Sequence, residues 1–207
     1  MQSGPRPKRI ALALCIGAFC IAMGLREQVN IWVGTSAAAT ASIVLLIAVH
    51  AIDRRKIAWP SLRNLAVGTG VGIVMSLGTW WLYPLSISLF PPIGEEVAAL
   101  YALLRQPPGP IEAFPLLLLV VSAEELVWRG LAVDVFSETV GSTRAVVVSA
   151  LLYVLPQVAF RSPLLMIVAL LCGIVWGMLR VGSKGLAAPF AAHIVWDLLV
   201  FVIHPVA

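Results

Sequence analysis

Long apolar stretches restrict the fold of this chain more than any other feature of its sequence. Hydrophobic residues make up 60% of the 207 residues, charged residues only 12%, and the mean hydropathy is +0.98. Soluble chains carry about 25% charged residues, and a helix needs about 20 apolar residues to cross a bilayer. We therefore predict an all-α, polytopic transmembrane helix bundle in which residues 1–207 form a single membrane domain.

Seven membrane spans can be drawn along the sequence from its apolar runs. The predicted spans are, in chain order, Ile10–Leu25, Ile31–Ile52, Leu62–Tyr83, Phe114–Phe136, Arg144–Phe160, Pro163–Leu179 and Leu186–Ile203. The long connection after the third span contains a predicted short helix, Ile93–Arg105, whose apolar spacing indicates a position along the membrane surface. A lid over a site is the alternative for this helix.

Basic residues indicate how the bundle is oriented, because lysine and arginine collect in the cytoplasmic segments of membrane proteins. With the N-terminus inside, the inner segments hold ten of the fourteen basic residues, namely Arg6, Lys8, Arg9, Arg54, Arg55, Lys56, Arg63, Arg144, Arg180 and Lys184. We therefore predict an inside N-terminus, an outside C-terminus and a location in the cell (plasma or inner) membrane. The same bias accounts for the net charge of +4, so we predict the lipid bilayer, and no nucleic acid, as a partner.

Two adjacent glutamates lie in the middle of the fourth predicted span. Insertion scales assign about 2.5–3.5 kcal/mol to an acid or base at the centre of a membrane helix, which favours a functional or paired arrangement. Glu125 and Arg129 are spaced i,i+4 and can pair on one helix face, whereas Glu124 points about 100° away from Glu125. We interpret Glu125 and Arg129 as a structural pair and Glu124 as a carboxylate available for general acid–base chemistry. The alternative is a polar contact that only holds the bundle together.

Two further predicted spans carry polar residues at membrane depth. His193 and Asp197 are spaced i,i+4 in the last span, so the acid can orient the imidazole. Tyr153 and Gln157 lie near the outer end of the fifth span, on either side of Pro156 in sequence. A lone histidine or glutamine in a helix is more often a packing residue, but three such clusters on three helices indicate a shared site.

This ordered set of motifs resembles the CPBP family, the CAAX-protease and bacteriocin-processing, or Abi, intramembrane endopeptidases. The resemblance covers approximately residues 114–203 and rests on Glu-Glu-x-x-x-Arg at 124–129, Tyr-x-x-x-Gln at 153–157 and His-x-x-x-Asp at 193–197. It implies that Glu124 activates water, that Glu125 and Arg129 support it, and that His193 and Asp197 bind the developing oxyanion.

One position departs from the pattern of that family, which usually has Phe-x-x-x-His where this chain has Tyr153 and Gln157. Glutamine donates and accepts hydrogen bonds but does not titrate, so it can position a water molecule without sharing its proton. Zinc held by Glu124, Gln157 and His193 is disfavoured because glutamine is a poor zinc ligand and the sequence has no His-Glu-x-x-His motif.

We therefore predict a metal-independent glutamic endopeptidase, with no cofactor, that cuts a membrane-anchored protein or peptide near the outer membrane face. The processing could be of a C-terminus, a leader or a sorting anchor. The main alternative is an inactive family member that binds membrane peptides as an immunity or scaffold protein. A small transporter would predict internal symmetry, which the sequence does not contain.

Overall fold

The computed structural model describes residues 5–51 and 61–206, which contain helices and no β-strand. In chain order the helices are α1 (Pro5–Gly24), α2 (Ile31–Ala48), α3 (Leu62–Leu89), α4 (Pro92–Leu104), α5 (Phe114–Glu124), the π-helical π1 (Glu125–Ala132), α6 (Val133–Val140), α7 (Ser142–Phe160), α8 (Pro163–Ser183), α9 (Ala187–Asp197) and the π-helical π2 (Leu198–Ile203). The all-α prediction is confirmed.

Five helices in the described part of the chain are long and apolar enough to cross a membrane, and they correspond to the first, second, third, fifth and sixth predicted spans. The fourth predicted span runs through α5 and π1 into α6, and the seventh corresponds to a shorter apolar helix, Ala187–Ile203. The number of spans and their orientation stay predictions. Ile52 and the basic residues at 54–56 lie outside the described residues.

Two helices, α3 and α8, extend beyond the ends predicted for the third and sixth spans. Helix α3 continues through Pro84 to Leu89. Proline lacks a backbone donor and so leaves one carbonyl without its helical hydrogen bond, but membrane helices tolerate such a carbonyl. Helix α8 likewise continues to Ser183. Arg180, counted above as a residue of an inner connection, therefore lies within α8, and its side chain is buried.

Small residues allow α3 and α9 to approach closely. Gly68 and Gly72 face α9, and a Cβ atom added to Gly72 would lie 2.6 Å from the carbonyl oxygen of Ala192. Ser76, one turn further along α3, is fully buried. This glycine-x-x-x-glycine spacing is common where membrane helices pack, and it places α3 directly against the helix that carries His193.

Helix α4 is held by hydrogen bonds to π2 and to the start of α8. The hydroxyl of Tyr101 donates a 2.7 Å hydrogen bond to the carbonyl oxygen of Val200 in π2. A carboxylate oxygen of Glu96 accepts hydrogen bonds from the Ser162 hydroxyl, at 2.5 Å, and from the Leu164 amide, at 3.1 Å, where α8 begins. The predicted short helix is thus present and shifted by one residue, and its position at a membrane surface stays a prediction.

Candidate active site

The helix that carries the two glutamates changes from α-helical to π-helical geometry at Glu125. The wider π turn redirects carbonyl groups and often occurs at functional sites. Two carbonyl oxygens of π1 accept hydrogen bonds from other helices: that of Trp128 from the Ser149 hydroxyl, at 2.7 Å, and that of Arg129 from Nε of Arg180, at 3.1 Å. The glutamate segment is therefore held by side chains of α7 and α8.

Glu124 ends α5 and points towards α7 and α9. Its Oε2 atom accepts a 2.7 Å hydrogen bond from the hydroxyl of Tyr153, and Nε2 of His193 lies 3.7 Å from the same oxygen. Glu124, which the sequence predicts to be an available carboxylate, thus has one oxygen bonded by a residue of α7.

His193 is surrounded by three carboxyl groups. Its Nδ1 atom lies 2.9 Å from Oε1 of Glu125, whereas Nε2 lies 3.5 Å from Oδ2 of Asp197 and 3.7 Å from Glu124. The hydrogen-bonded partner of the ring is thus Glu125, and Asp197 is at the long limit of such a contact. The prediction that Asp197 can orient the imidazole did not include Glu125, because an i,i+4 pattern cannot reveal a contact between helices.

Arg129 forms the expected pair with Glu125. Its NH1 atom lies 3.3 Å from Oε1 of Glu125, and both side chains are almost fully buried. The guanidinium lies over two aromatic rings, 4.5 Å from the centroid of Tyr153 and 4.9 Å from that of Trp176. Cation–π contacts of this kind are strongest when desolvated, so Arg129 is held by rings as well as by charge.

Trp176 is a site residue that the sequence analysis did not single out. Its ring stacks on that of His193, with centroids 3.8 Å apart and planes at 20°, while its other contacts include Arg129. Gly173 and Gly177 flank it by one turn or less, and a Cβ atom at Gly177 would lie 2.6 Å from a side-chain carbon of Val146. A tryptophan between close-packing glycines is a weak signal in a sequence, because it is also typical of ordinary helix packing.

A cavity of about 160 Å³ brings most of the predicted site residues together. Its polar lining comprises Thr35, Glu124, Tyr153, Gln157, His193 and Asp197. The rest of its lining is mainly apolar and includes Trp32, Leu100, Leu104, Phe160, Val168 and Phe201. Glu125 and Arg129 lie behind this polar wall, where they contact His193 and Tyr153.

Gln157 faces the cavity from the same helix as Tyr153, one turn further along. Its side chain is 9% exposed, and among residues 5–51 and 61–206 no group hydrogen-bonds to its amide. Both the donor and the acceptor of this amide are therefore available to a molecule in the cavity. Its functional role, like those of the other predicted site residues, stays a prediction.

The cysteines are separate from each other and unpaired. Cys15 and Cys172 are buried and Cys20 is partly buried, and Cys172 also lines the cavity. Within the part of the chain that the structure describes, no group of three or more histidine, cysteine, aspartate or glutamate side chains is arranged to hold a metal ion.

Comparison with known proteins finds a match for the part of the chain that contains this site. Residues 106–199 match the family model described as type II CAAX prenyl endopeptidase Rce1-like, a range that contains α5 to α9 and all three polar motifs. No curated protein and no solved structure matches the chain. This match confirms, over residues 106–199, the resemblance that the motifs predicted.

Proposed function

We propose that this multi-pass membrane protein is an intramembrane glutamic endopeptidase that hydrolyses a peptide bond of a membrane-anchored protein or peptide without a metal ion. One observation carries the proposal: Glu124, Gln157 and His193 line the same cavity. A base, a water molecule and donors for a carbonyl oxygen can therefore meet in one poorly solvated place. The coarse class, a membrane-embedded protease family, is given by the family match.

Glu124 acts as the general base and then as the general acid. Its carboxylate takes a proton from water while the water oxygen attacks the carbonyl carbon of the scissile peptide bond. The carbon–nitrogen bond then breaks, and the same proton passes from Glu124 to the leaving amine. Such transfers by a positioned side chain contribute about 10²- to 10⁴-fold to a rate.

His193 and Gln157 stabilise the oxyanion of the tetrahedral intermediate. Nδ1–H of His193 donates to Glu125. When the ring is doubly protonated, Nε2–H is available to donate to an oxyanion in the cavity. The Gln157 amide supplies a second donor or holds the attacking water. Trp176 keeps the imidazole plane in place through the stacked contact.

The apolar lining of the cavity suits a substrate that is itself embedded in the membrane. A prenylated C-terminal CAAX sequence is the first substrate to test, because the matching family is described by it. Leader peptides and C-terminal sorting anchors are further candidates. From the predicted orientation, we propose that cleavage takes place in the outer half of the bilayer.

Gln157 also favours a second function, in which the protein binds a membrane peptide without cutting it. Glutamine cannot exchange a proton with Glu124, and its free amide could instead hydrogen-bond to a bound peptide. An immunity or scaffold protein of this kind would not depend on the acid–base chemistry of Glu124.

The deciding experiment compares the C-termini of membrane proteins in cells that carry the native protein, the Glu124→Ala variant or the Glu27→Ala control. Glu27 is a matched control because its side chain is 72% exposed and it lies outside the site. We expect at least one shortened membrane protein, detected by mass spectrometry, to regain its full length only with Glu124→Ala. If every C-terminus is the same at equal expression, the peptidase proposal fails.

A further inference from the structure

We infer that Tyr153 is a positioning residue: its hydroxyl anchors Oε2 of Glu124, so that Oε1 is the oxygen that exchanges a proton with water and with the leaving amine. The inference rests on the proposed function, since it assigns separate tasks to the two oxygens of the proposed base. It concerns a contact between two helices, α5 and α7, that no motif in the sequence contains.

The two carboxylate oxygens of Glu124 have different surroundings. Oε2 accepts the 2.7 Å hydrogen bond from Tyr153, and His193 approaches this oxygen at 3.7 Å, which exceeds hydrogen-bond distance. No donor in the described residues contacts Oε1, and this atom is not enclosed by protein. Since Glu124 lines the cavity, Oε1 is the oxygen that a water molecule can reach.

The ring of Tyr153 is itself fixed from several sides. The Arg129 guanidinium lies 4.5 Å from its centroid, and the Trp128 ring lies 5.4 Å away at an angle of 52°. Helix α8 approaches so closely that a Cβ atom at Gly173 would lie 3.6 Å from the ring. A hydroxyl on a ring held in this way has little freedom, so it can hold the more flexible glutamate side chain in one rotamer.

This arrangement keeps the transferred proton on the substrate side. When Oε1 takes a proton from water, Tyr153 still donates to Oε2 and no hydrogen bond has to be exchanged. Oε1 then returns that proton to the amine nitrogen as the peptide bond breaks. Without the hydroxyl the carboxyl group can rotate and present either oxygen, and small misplacements of a catalytic group cost on the order of 10²-fold in rate.

The test is Tyr153→Phe, which removes one oxygen atom and retains the ring contacts. The matched control is Tyr101→Phe, because Tyr101 is equally buried and donates its 2.7 Å hydrogen bond to a backbone carbonyl outside the cavity. The deciding measurement is infrared spectroscopy of the whole protein in liposomes. The carboxyl bands of Glu124, identified as those that Glu124→Gln removes, should shift in Tyr153→Phe and stay in place in Tyr101→Phe.

A kinetic measurement accompanies the spectra, with an internally quenched farnesylated CAAX peptide as the probe. We expect kcat for Tyr153→Phe to fall by about 10- to 100-fold with KM little changed, and kcat and KM for Tyr101→Phe to match those of the native protein.

Unshifted carboxyl bands, or full kcat in Tyr153→Phe, would overturn the inference. Cleavage that survives in Glu124→Gln would refute Glu124 as the base of the proposed mechanism. A peptide that the native protein leaves intact would refute the CAAX substrate, while the infrared bands still decide the role of Tyr153.

Discussion

Glu125 and His193 meet at 2.9 Å, between Oε1 and Nδ1, although 68 residues separate them in the chain. The same oxygen of Glu125 lies 3.3 Å from NH1 of Arg129. One buried carboxylate therefore compensates a buried guanidinium and also orients the imidazole across the bundle. The two adjacent glutamates therefore differ: Oε1 of Glu125 contacts two protein groups and its Oε2 is buried, whereas Glu124 keeps one oxygen for the cavity.

Replacing Glu125 should destabilise the protein strongly. Glu125→Gln keeps the size of the side chain but leaves Arg129 as a buried charge without compensation, which typically costs about 3–5 kcal/mol. The measurement is the free energy of unfolding from SDS titration in mixed micelles. The control is Glu27→Gln, which removes the exposed partner of Arg26 and should change stability very little. Equal effects of the two substitutions would contradict the buried ion pair.

Replacing Glu124 should abolish catalysis and leave the fold intact. Glu124→Gln retains an oxygen that can accept the Tyr153 hydrogen bond, but an amide cannot take a proton from water. We expect turnover of the farnesylated peptide to fall by about 10²- to 10⁴-fold while the unfolding midpoint stays near that of the native protein. A variant that retains native turnover would show that another group is the base.

The contacts that the sequence predicted correctly are those within one helix. The i,i+4 spacing of Glu125 and Arg129 follows from helical periodicity alone, and their side chains pair as expected. Membrane helices are also recognisable from composition, which is why most predicted spans agree with helices of the structure to within a few residues. The end of α3 lies beyond the predicted one because Pro84 signals a break more strongly in a soluble chain than in a membrane helix.

The contacts between helices could not be predicted from one sequence. Tyr153 with Glu124 and Trp176 with His193 depend on the rotation and depth of neighbouring helices, which hydropathy does not specify. Arg180 illustrates the same limit. The sequence places it in an inner connection, where a basic side chain is expected to be solvated. In the structure it lies in α8 and bonds to the Arg129 carbonyl and to Asp134.

The glycines of α3 provide a test of the packing that positions His193. Gly72→Val should separate α3 from α9, because even a Cβ atom there would lie 2.6 Å from the Ala192 carbonyl oxygen. Overpacking of this kind costs about 1–3 kcal/mol, and turnover should fall with it. Gly70→Val is the control on the same helix, since nothing lies within 4 Å of a Cβ atom at Gly70. The idea fails if both variants unfold at the same SDS concentration.

Gln157 provides the sharpest test between a peptidase and a binding protein. Gln157→Leu has nearly the same size but removes both hydrogen-bonding groups from the cavity, and the loss of one oxyanion donor typically lowers kcat by about 10²- to 10³-fold. Gln157→His restores a donor and adds a group that can share a proton with Glu124, so turnover should equal or exceed that of the native protein. Val158→Ala is the matched control, because this neighbour on α7 is 50% exposed and does not line the cavity.

The measurement is the rate of product formation in liposomes at saturating farnesylated peptide. Native turnover in the leucine variant would remove Gln157 from the mechanism, and undetectable cleavage by the native protein, the control and the histidine variant alike would favour a peptide-binding role for this fold.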